Sequence, residues 1–357
     1  MKIALSGYYG FDNAGDEALL AAITSSIRKL APQAQFVVFS GSPRQTALLH
    51  RVKAVYYMNP FKVFWQLLTS DLLISGGGSI FQDVTSARSL PYYISVVALA
   101  KLLGRPVIFY AQGVGPINLK LSRWLMRLIA NKVDLITLCD EESAQLLHSI
   151  GVTQPPLKIT ADPVFYLEPQ TTVSNKLLPI TRQLGDKPLI GVAVRKWLPL
   201  EGYQKNLALV LDRLAAEGEY QIVFIPMAFP EDVAESKRVA ELMKNKAIII
   251  IEQNLTSDEH LALIAKLDFM IGMRLHALIF AANSGVPFAG ISYDPKIDAF
   301  LNIFALPSLA CEPEAMLQSI NSLLNDKNRQ DSVKQIAEGL RNQSAENARL
   351  ALSLLKD

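Results

Sequence analysis

The sequence predicts an α/β protein built from two Rossmann-like αβα domains facing across a cleft. Ten short apolar runs alternate with helix-patterned segments, the signature of parallel sheets covered on both faces. A polar, proline-containing gap breaks that rhythm near the middle. The 357 residues also exceed the roughly 250–300 at which a single core stops growing.

The first five runs fall at 3–5, 36–39, 72–74, 107–110 and 135–138. After the first, Leu19, Leu20, Ile23, Ile27 and Leu30 recur at helical spacing. Five further runs, at 189–194, 222–225, 248–251, 269–271 and 288–291, repeat the pattern. Between the two sets, residues 166–188 gather Pro169, Gln170, Thr171, Thr172, Ser174, Asn175, Pro179, Gly185, Asp186 and Pro188. These features place a first domain at 1–168, a linker at 169–188 and a second domain at 189–327. A last helical pattern at about 328–355 is expected to pack back on the first domain.

Composition narrows the function classes. Half the residues are hydrophobic and 19% are charged, which excludes a disordered chain. The net charge of +2, with no Lys/Arg cluster interleaved with aromatics, argues against nucleic acid as a partner. Cys139 and Cys311 lie far apart without metal-ligand spacing, so neither a disulfide framework nor a metal site is expected. With no leader and no apolar run of 18 residues, a cytoplasmic protein is expected. Residues 120–132 set Leu121, Trp124, Leu125, Leu128 and Ile129 on one helical face beside Lys120, Arg123, Arg127 and Lys132. Such a helix either packs its apolar face on its own sheet or makes peripheral contact with the inner face of a membrane. The sequence sets no oligomeric state.

Residues that carry chemistry stand where strands give way to turns. Arg274 and His276 lie between the apolar run 267–272 and a helix-like run from Ala277, at the carboxyl end of a strand, where α/β sheets place ligands. A guanidinium and an imidazole one residue apart call for an acidic ligand. Arg195 closes the run 189–194 as a second fork-shaped cation, unless it is a solvated surface side chain. Lys296 belongs to Tyr293-Asp294-Pro295-Lys296, after the run at 288–291.

Three glycine-bearing turns follow other runs. In the first, Gly7, Gly10 and Gly15 let backbone approach a ligand at a helix start, with Asp12, Asn13 and Asp16 as candidates for sugar hydroxyls. The spacing is not the dinucleotide fingerprint and no Walker lysine follows. Asp16 and Glu17 suit the first turn of a helix equally well. The second turn holds Gly76, Gly77 and Gly78 ahead of Asp83, and the third is Ala111-Gln112-Gly113-Val114-Gly115-Pro116. Asp12 and Asp83 are the alternatives for a base that accepts a hydroxyl proton.

Together the stretches 7–17, 75–83, 111–116, 140–143, 162–163, 191–195, 273–276 and 292–296 resemble, in sequence and order, the polysaccharide pyruvyl transferase family, most closely its cell-surface-anchoring (CsaB-like) branch. The resemblance implies a glycosyltransferase-B-like fold, phosphoenolpyruvate as donor, and a ketal-linked pyruvate placed on a sugar of a cell-wall polysaccharide or lipid-linked oligosaccharide. The family's Arg-Leu-His maps onto Arg274 and His276. On this reading Arg195, Arg274, Gln112 and Lys296 hold the donor and His276 moves a proton. Asp12, Asn13, Asp16, Gly77, Gly78 and Asp83 meet the acceptor, and phosphoenolpyruvate is a co-substrate with no cofactor or metal required. One position departs from the family: Cys139 stands ahead of Asp140, where members commonly carry arginine. Two other readings remain. A nucleotide-sugar glycosyltransferase or epimerase is disfavoured because no glutamate for a nucleotide ribose occurs between Glu259 and Glu312. A non-catalytic sugar- or anion-binding relative is allowed by Cys139.

Overall fold

The computed structural model describes residues 1–84, 86, 88–169, 176–197, 202–217 and 220–355. Contacts divide the chain into two units. The first holds Met1–Phe11, Asp16–Leu167 and Leu340–Asp357; the second holds Asp12–Gly15 and Glu168–Gly339. Each is a Rossmann-like α/β domain around a parallel sheet.

The first unit runs through β1 (Lys2–Tyr9), α1 (Ala14–Leu30), β2 (Gln35–Ser40), α2 (Pro43–His50), β3 (Lys53–Tyr56), α3 (Pro60–Leu68), β4 (Leu72–Gly76), α4 (Ser89–Leu102), β5 (Val107–Gln112), α5 (Lys120–Ala130), β6 (Leu135–Leu138), α6 (Glu141–Ser149) and β7 (Leu157–Ile159). Among the described residues its strands lie in the order β3-β2-β1-β4-β5-β6-β7, each pair parallel. Alternation along the strands sends Ala4, Leu73, Phe109 and Ile136 to the face covered by α3, α4, α5 and α6. Ile3, Leu5, Ile74 and Ile108 go to the other, where α1 lies. The order reverses between β1 and β4, so a switch point opens at their carboxyl ends. β3 and β7 escaped the sequence reading because they are edge strands without a continuous apolar run. Val55 alone is buried in β3, and nothing in β7 is.

The second unit continues with α7 (Leu177–Gln183), β8 (Leu189–Ala193), α8 (Tyr203–Glu217), β9 (Gln221–Phe224), α9 (Glu231–Leu242), β10 (Ile248–Ile250), α10 (Ser257–Ile264), β11 (Phe269–Gly272), α11 (Leu275–Asn283), β12 (Phe288–Gly290), α12 (Pro295–Ile303), α13 (Pro313–Leu324) and α14 (Arg329–Ser353). Its strand order among the described residues is β10-β9-β8-β11-β12, again parallel, with a reversal between β8 and β11.

The segment expected to be a linker is only partly one. Residues 170–175 lie outside the described residues, while 177–183 form α7, whose Leu177 and Ile180 are buried. Pro179 sits in its first turn, where a missing N–H costs no helical bond. The second unit also extends past residue 327 to Gly339, so α14 belongs to it at its start and to the first unit at its end. There Ala348 and Ala351 join the core beside Ile3 and Ile74. Asn347, fully buried, accepts from Thr160 Oγ1 at 2.9 Å and donates to the Ala161 carbonyl at 3.3 Å.

Candidate functional site

In the second unit β9, β8, β11 and β12 end side by side, and a charged residue stands in the segment after each strand. α9 comes after β9 and places Asp232 in its first turn, 1% exposed. Arg274 is the N-cap of α11, just past β11. Its Nε donates to Asp232 Oδ2 at 2.8 Å and its Nη2 to Oδ1 at 2.5 Å, a two-point ion pair. Asp232 Oδ2 also accepts from the amides of Ala228 (2.9 Å) and Met227 (3.2 Å), so its orientation is fixed. Sequence reasoning missed Asp232, because an acid in the first turn of a helix is explained by the helix dipole alone.

Arg195, just past β8, is not a solvated surface side chain. Its Nη1 donates to the Tyr293 hydroxyl at 2.7 Å. The guanidinium stands 4.8 Å from the Tyr293 ring centroid and 5.3 Å from that of Trp197, a cation–π arrangement that keeps the fork rigid. Its Nε is buried and makes no hydrogen bond within the protein. A buried guanidinium N–H without an acceptor is costly, and an anionic ligand would supply one. Lys296 occupies the first turn of α12, its amide bonded to Asp294 Oδ1 at 3.0 Å.

His276 is the second residue of α11, and a side chain at Gly15 would collide with its imidazole. That contact is internal to the second unit, because Asp12–Gly15 belongs there. The Phe229 amide donates to the Asp12 carbonyl (3.0 Å), the Ala14 amide to the Met227 carbonyl (2.8 Å), and Asn254 Nδ2 to Asp12 Oδ1 (2.9 Å). Asp12 and Asn13, grouped in the sequence reading with the first domain's acceptor residues, therefore stand with His276. Backbone geometry is the reason: Gly10 at φ +79° and Asp12 at φ +54° turn the chain out of β1 before α1 begins.

The remaining predicted residues stay in the first unit. Gly77 and Gly78, at φ +71° and +67°, pass over Leu19, and a Cβ on Gly78 would lie 3.3 Å from Asp16 Oδ1. Gln112 is fully buried, and its Nε2 donates to the Gly78 carbonyl. Gln112 Oε1 and the hydroxyls of Ser6 and Ser75, register partners on β1 and β4, make no hydrogen bond within the protein. This edge is rich in polar atoms that a ligand could satisfy. Glu17 has a structural role, since it accepts from the Gly10 amide at 2.7 Å and meets His50 Nε2 at 2.7 Å.

Asp83 is anchored by backbone amides. Burial acts to raise its pKa, but the amides of Asn118 (2.8 Å) and Leu119 (2.9 Å) outweigh that and hold it below the ordinary carboxylate value. It fixes the loop that leads into α5. Cys139 follows β6, its Sγ 3.3 Å from Asp140 Oδ2, while Asp140 caps α6 through the Ser143 amide at 2.6 Å. Among the described residues no group of three His, Cys, Asp or Glu side chains is placed to hold a metal ion.

Comparison with solved structures finds the same fold. A Listeria monocytogenes protein described as a UDP-N-acetylglucosamine 2-epimerase superposes with a TM-score of 0.72 at 14% identity, over 97% of this chain and 94% of that one. The UDP-GlcNAc 2-epimerase from Neisseria meningitidis bound to UDP-GlcNAc gives 0.69 at 14% identity over 99% of both chains. Anabaena HepE with UDP and glucose gives 0.65 at 16% identity, again over 99% of both. At such identities the likeness is one of fold, glycosyltransferase-B-like as the sequence predicted. Residues 13–295 match the model of one family, and that span contains Arg195, Asp232, Arg274 and His276. The chain belongs to the polysaccharide pyruvyl transferase family.

Proposed function

We propose that the protein transfers the enolpyruvyl group of phosphoenolpyruvate onto two hydroxyls of a glycan or lipid-linked oligosaccharide as a ketal, with release of phosphate. The observation that carries this reading is the convergence of Arg195, Arg274 and His276 at the carboxyl ends of β8 and β11, where the strand order reverses. Two preorganised guanidinium forks suit a small molecule bearing a carboxylate and a phosphate. Lys296 adds a third cation near the same edge. Asp232 holds the Nε side of Arg274 through a two-point contact, which fixes the orientation of the guanidinium.

His276 is assigned as the acid that protonates the methylene carbon while the first hydroxyl attacks the adjacent carbon. Phosphate then departs with the C–O bonding pair and the second hydroxyl closes the ketal. One hydroxyl proton balances the new methyl group, and the other leaves with phosphate. Asp12, which belongs to the same unit as His276, is assigned as the base that accepts a hydroxyl proton. Asp16, Gly77, Gly78 and Gln112 are assigned to the acceptor edge of the first unit; Gln112 moves there from the donor set because it bonds Gly78.

Phosphate release from phosphoenolpyruvate with a panel of lipid-linked disaccharides tests this, run beside His276→Asn and Cys139→Arg. Loss of about 10²–10⁴-fold in turnover is expected for His276→Asn; near-normal turnover removes it from the mechanism. Recovery of activity only in Cys139→Arg would make the protein a non-catalytic relative. Because solved structures of the same fold carry UDP-sugars, a nucleotide sugar is the second reading. A thermal shift with UDP-GlcNAc and none with phosphoenolpyruvate would favour it.

A further inference from the structure

We propose that the outer face of α3, α4 and α5 in the first unit docks on a bilayer containing anionic lipid. The first observation is orientation. α5 seats Ser122, Met126 and Ala130 inward and turns Leu121, Trp124 and Leu128 outward, 64%, 57% and 41% exposed. The sequence reading allowed its apolar face to pack on the sheet; the structure places Ser122, Met126 and Ala130 there instead, and only Leu125 and Ile129 of that face reach the core. α3 repeats the arrangement, with Val63 and Leu67 inward and Phe61 and Trp65 outward, 85% and 60% exposed. Packing within the chain gives no reason for two helices to aim their largest apolar side chains away from their own core. Both lie on the same face of the sheet with α4 touching each, so the two stripes look outward on one side.

Charge selects the occupant. α3, α4 and α5 contain no Asp or Glu, yet carry Lys62, Lys101, Lys120, Arg123 and Arg127. Lys101 is engaged by Asp134 at 2.7 Å, and Arg123 Nε donates to the Ile117 carbonyl at 2.9 Å; Lys62, Lys120, Arg123 and Arg127 are exposed on α3 and α5. Tryptophan and phenylalanine among cations match the boundary between headgroups and acyl chains of an anionic leaflet. A twofold contact with a second copy would set these cations against one another with no carboxylate to answer them. Among the described residues no helix is long and apolar enough to cross a membrane, so the contact is peripheral. The surface rests on nothing assumed about the chemistry at Arg274.

Flotation of the full chain with phosphatidylcholine vesicles, with and without phosphatidylglycerol, tests the proposal. Wild type should float only with the anionic vesicles, with a blue shift of tryptophan emission. Phe61→Ser/Trp65→Ser and Trp124→Ser/Leu128→Ser should each weaken binding severalfold. Lys62→Gln/Lys120→Gln should weaken it by about fivefold per charge at low salt. Since all six positions are outside the core, melting temperatures should hold. Absence of flotation with anionic vesicles, equal binding to neutral ones, or unchanged binding by the three variants overturns it. So does sedimentation showing a wild-type dimer that these variants dissociate, which would make a second copy the occupant.

Discussion

Arg274 is positioned before any ligand arrives, and Asp232 positions it. Removing the cation alone should strand a buried carboxylate: Arg274→Ala is expected to cost about 3–5 kcal/mol in urea unfolding. Asp232→Asn/Arg274→Gln, which removes both charges, should recover most of that stability while donor binding stays lost. Full stability loss in the double variant would contradict the pairing argument. Arg274→Lys should fail as a replacement, because an ammonium cannot form the two-point contact. His260 offers a pH test in the same unit. Burial lowers its pKa, more than the Pro226 and Thr256 carbonyls at 2.8 and 3.0 Å raise it. The unfolded chain therefore binds this proton near pH 6.5 while the folded chain resists it, so stability should fall as pH drops below about 6.5. A His260→Gln variant should show a flatter melting profile between pH 7.5 and 5; equal slopes would rule the residue out. At this scale Arg195, Arg274 and His276 were legible because cations between apolar runs are poor core material. Asp232 was not, because a first-turn acid has an ordinary explanation.

Strands were legible where the chain carries a continuous apolar run. The ten such runs all became strands, the half-exposed edge β10 among them, whereas β3 and β7 lack such a run and did not announce themselves. The spacing in α5 showed an apolar stripe but could not show which way it points, since periodicity fixes the width of a face and not its direction. α1 provides the test of how elements meet at the site. Gly15, its second residue, abuts the His276 ring, so Gly15→Ala should move the imidazole. Turnover is expected to fall about tenfold or more, with little change in melting, since alanine suits a helix better than glycine. Unchanged turnover would mean the ring is free to swing aside. In α10, Thr256 and Glu259 form a capping box, and Thr256→Ala should cost about 1 kcal/mol, read by denaturant titration.

The molecule as a whole closes on its own C-terminus. α14 brings Asn347, Ala348 and Ala351 into the first unit, whose core is otherwise assembled from residues before 168. Truncation after Gly339 should expose that core and lower the first unit's melting temperature, measured by differential scanning calorimetry. Asn347→Ala alone should cost about 1–3 kcal/mol, because Thr160 and Ala161 lose buried partners. A truncation that melts like wild type would reduce α14 to an appendage. The two-domain plan was readable from rhythm and gap, but this exchange of segments was not, because contacts between distant positions leave no local pattern.

The four residues Asp12–Gly15 carry a consequence for synthesis on the ribosome. They emerge early, yet the partners they bond at Met227, Phe229 and Asn254 follow more than two hundred residues later. The first unit in turn waits for residues beyond 340. Neither unit can complete its contacts from an uninterrupted stretch of chain, so the contacts that finish each unit form only after residues far along the sequence have been synthesised.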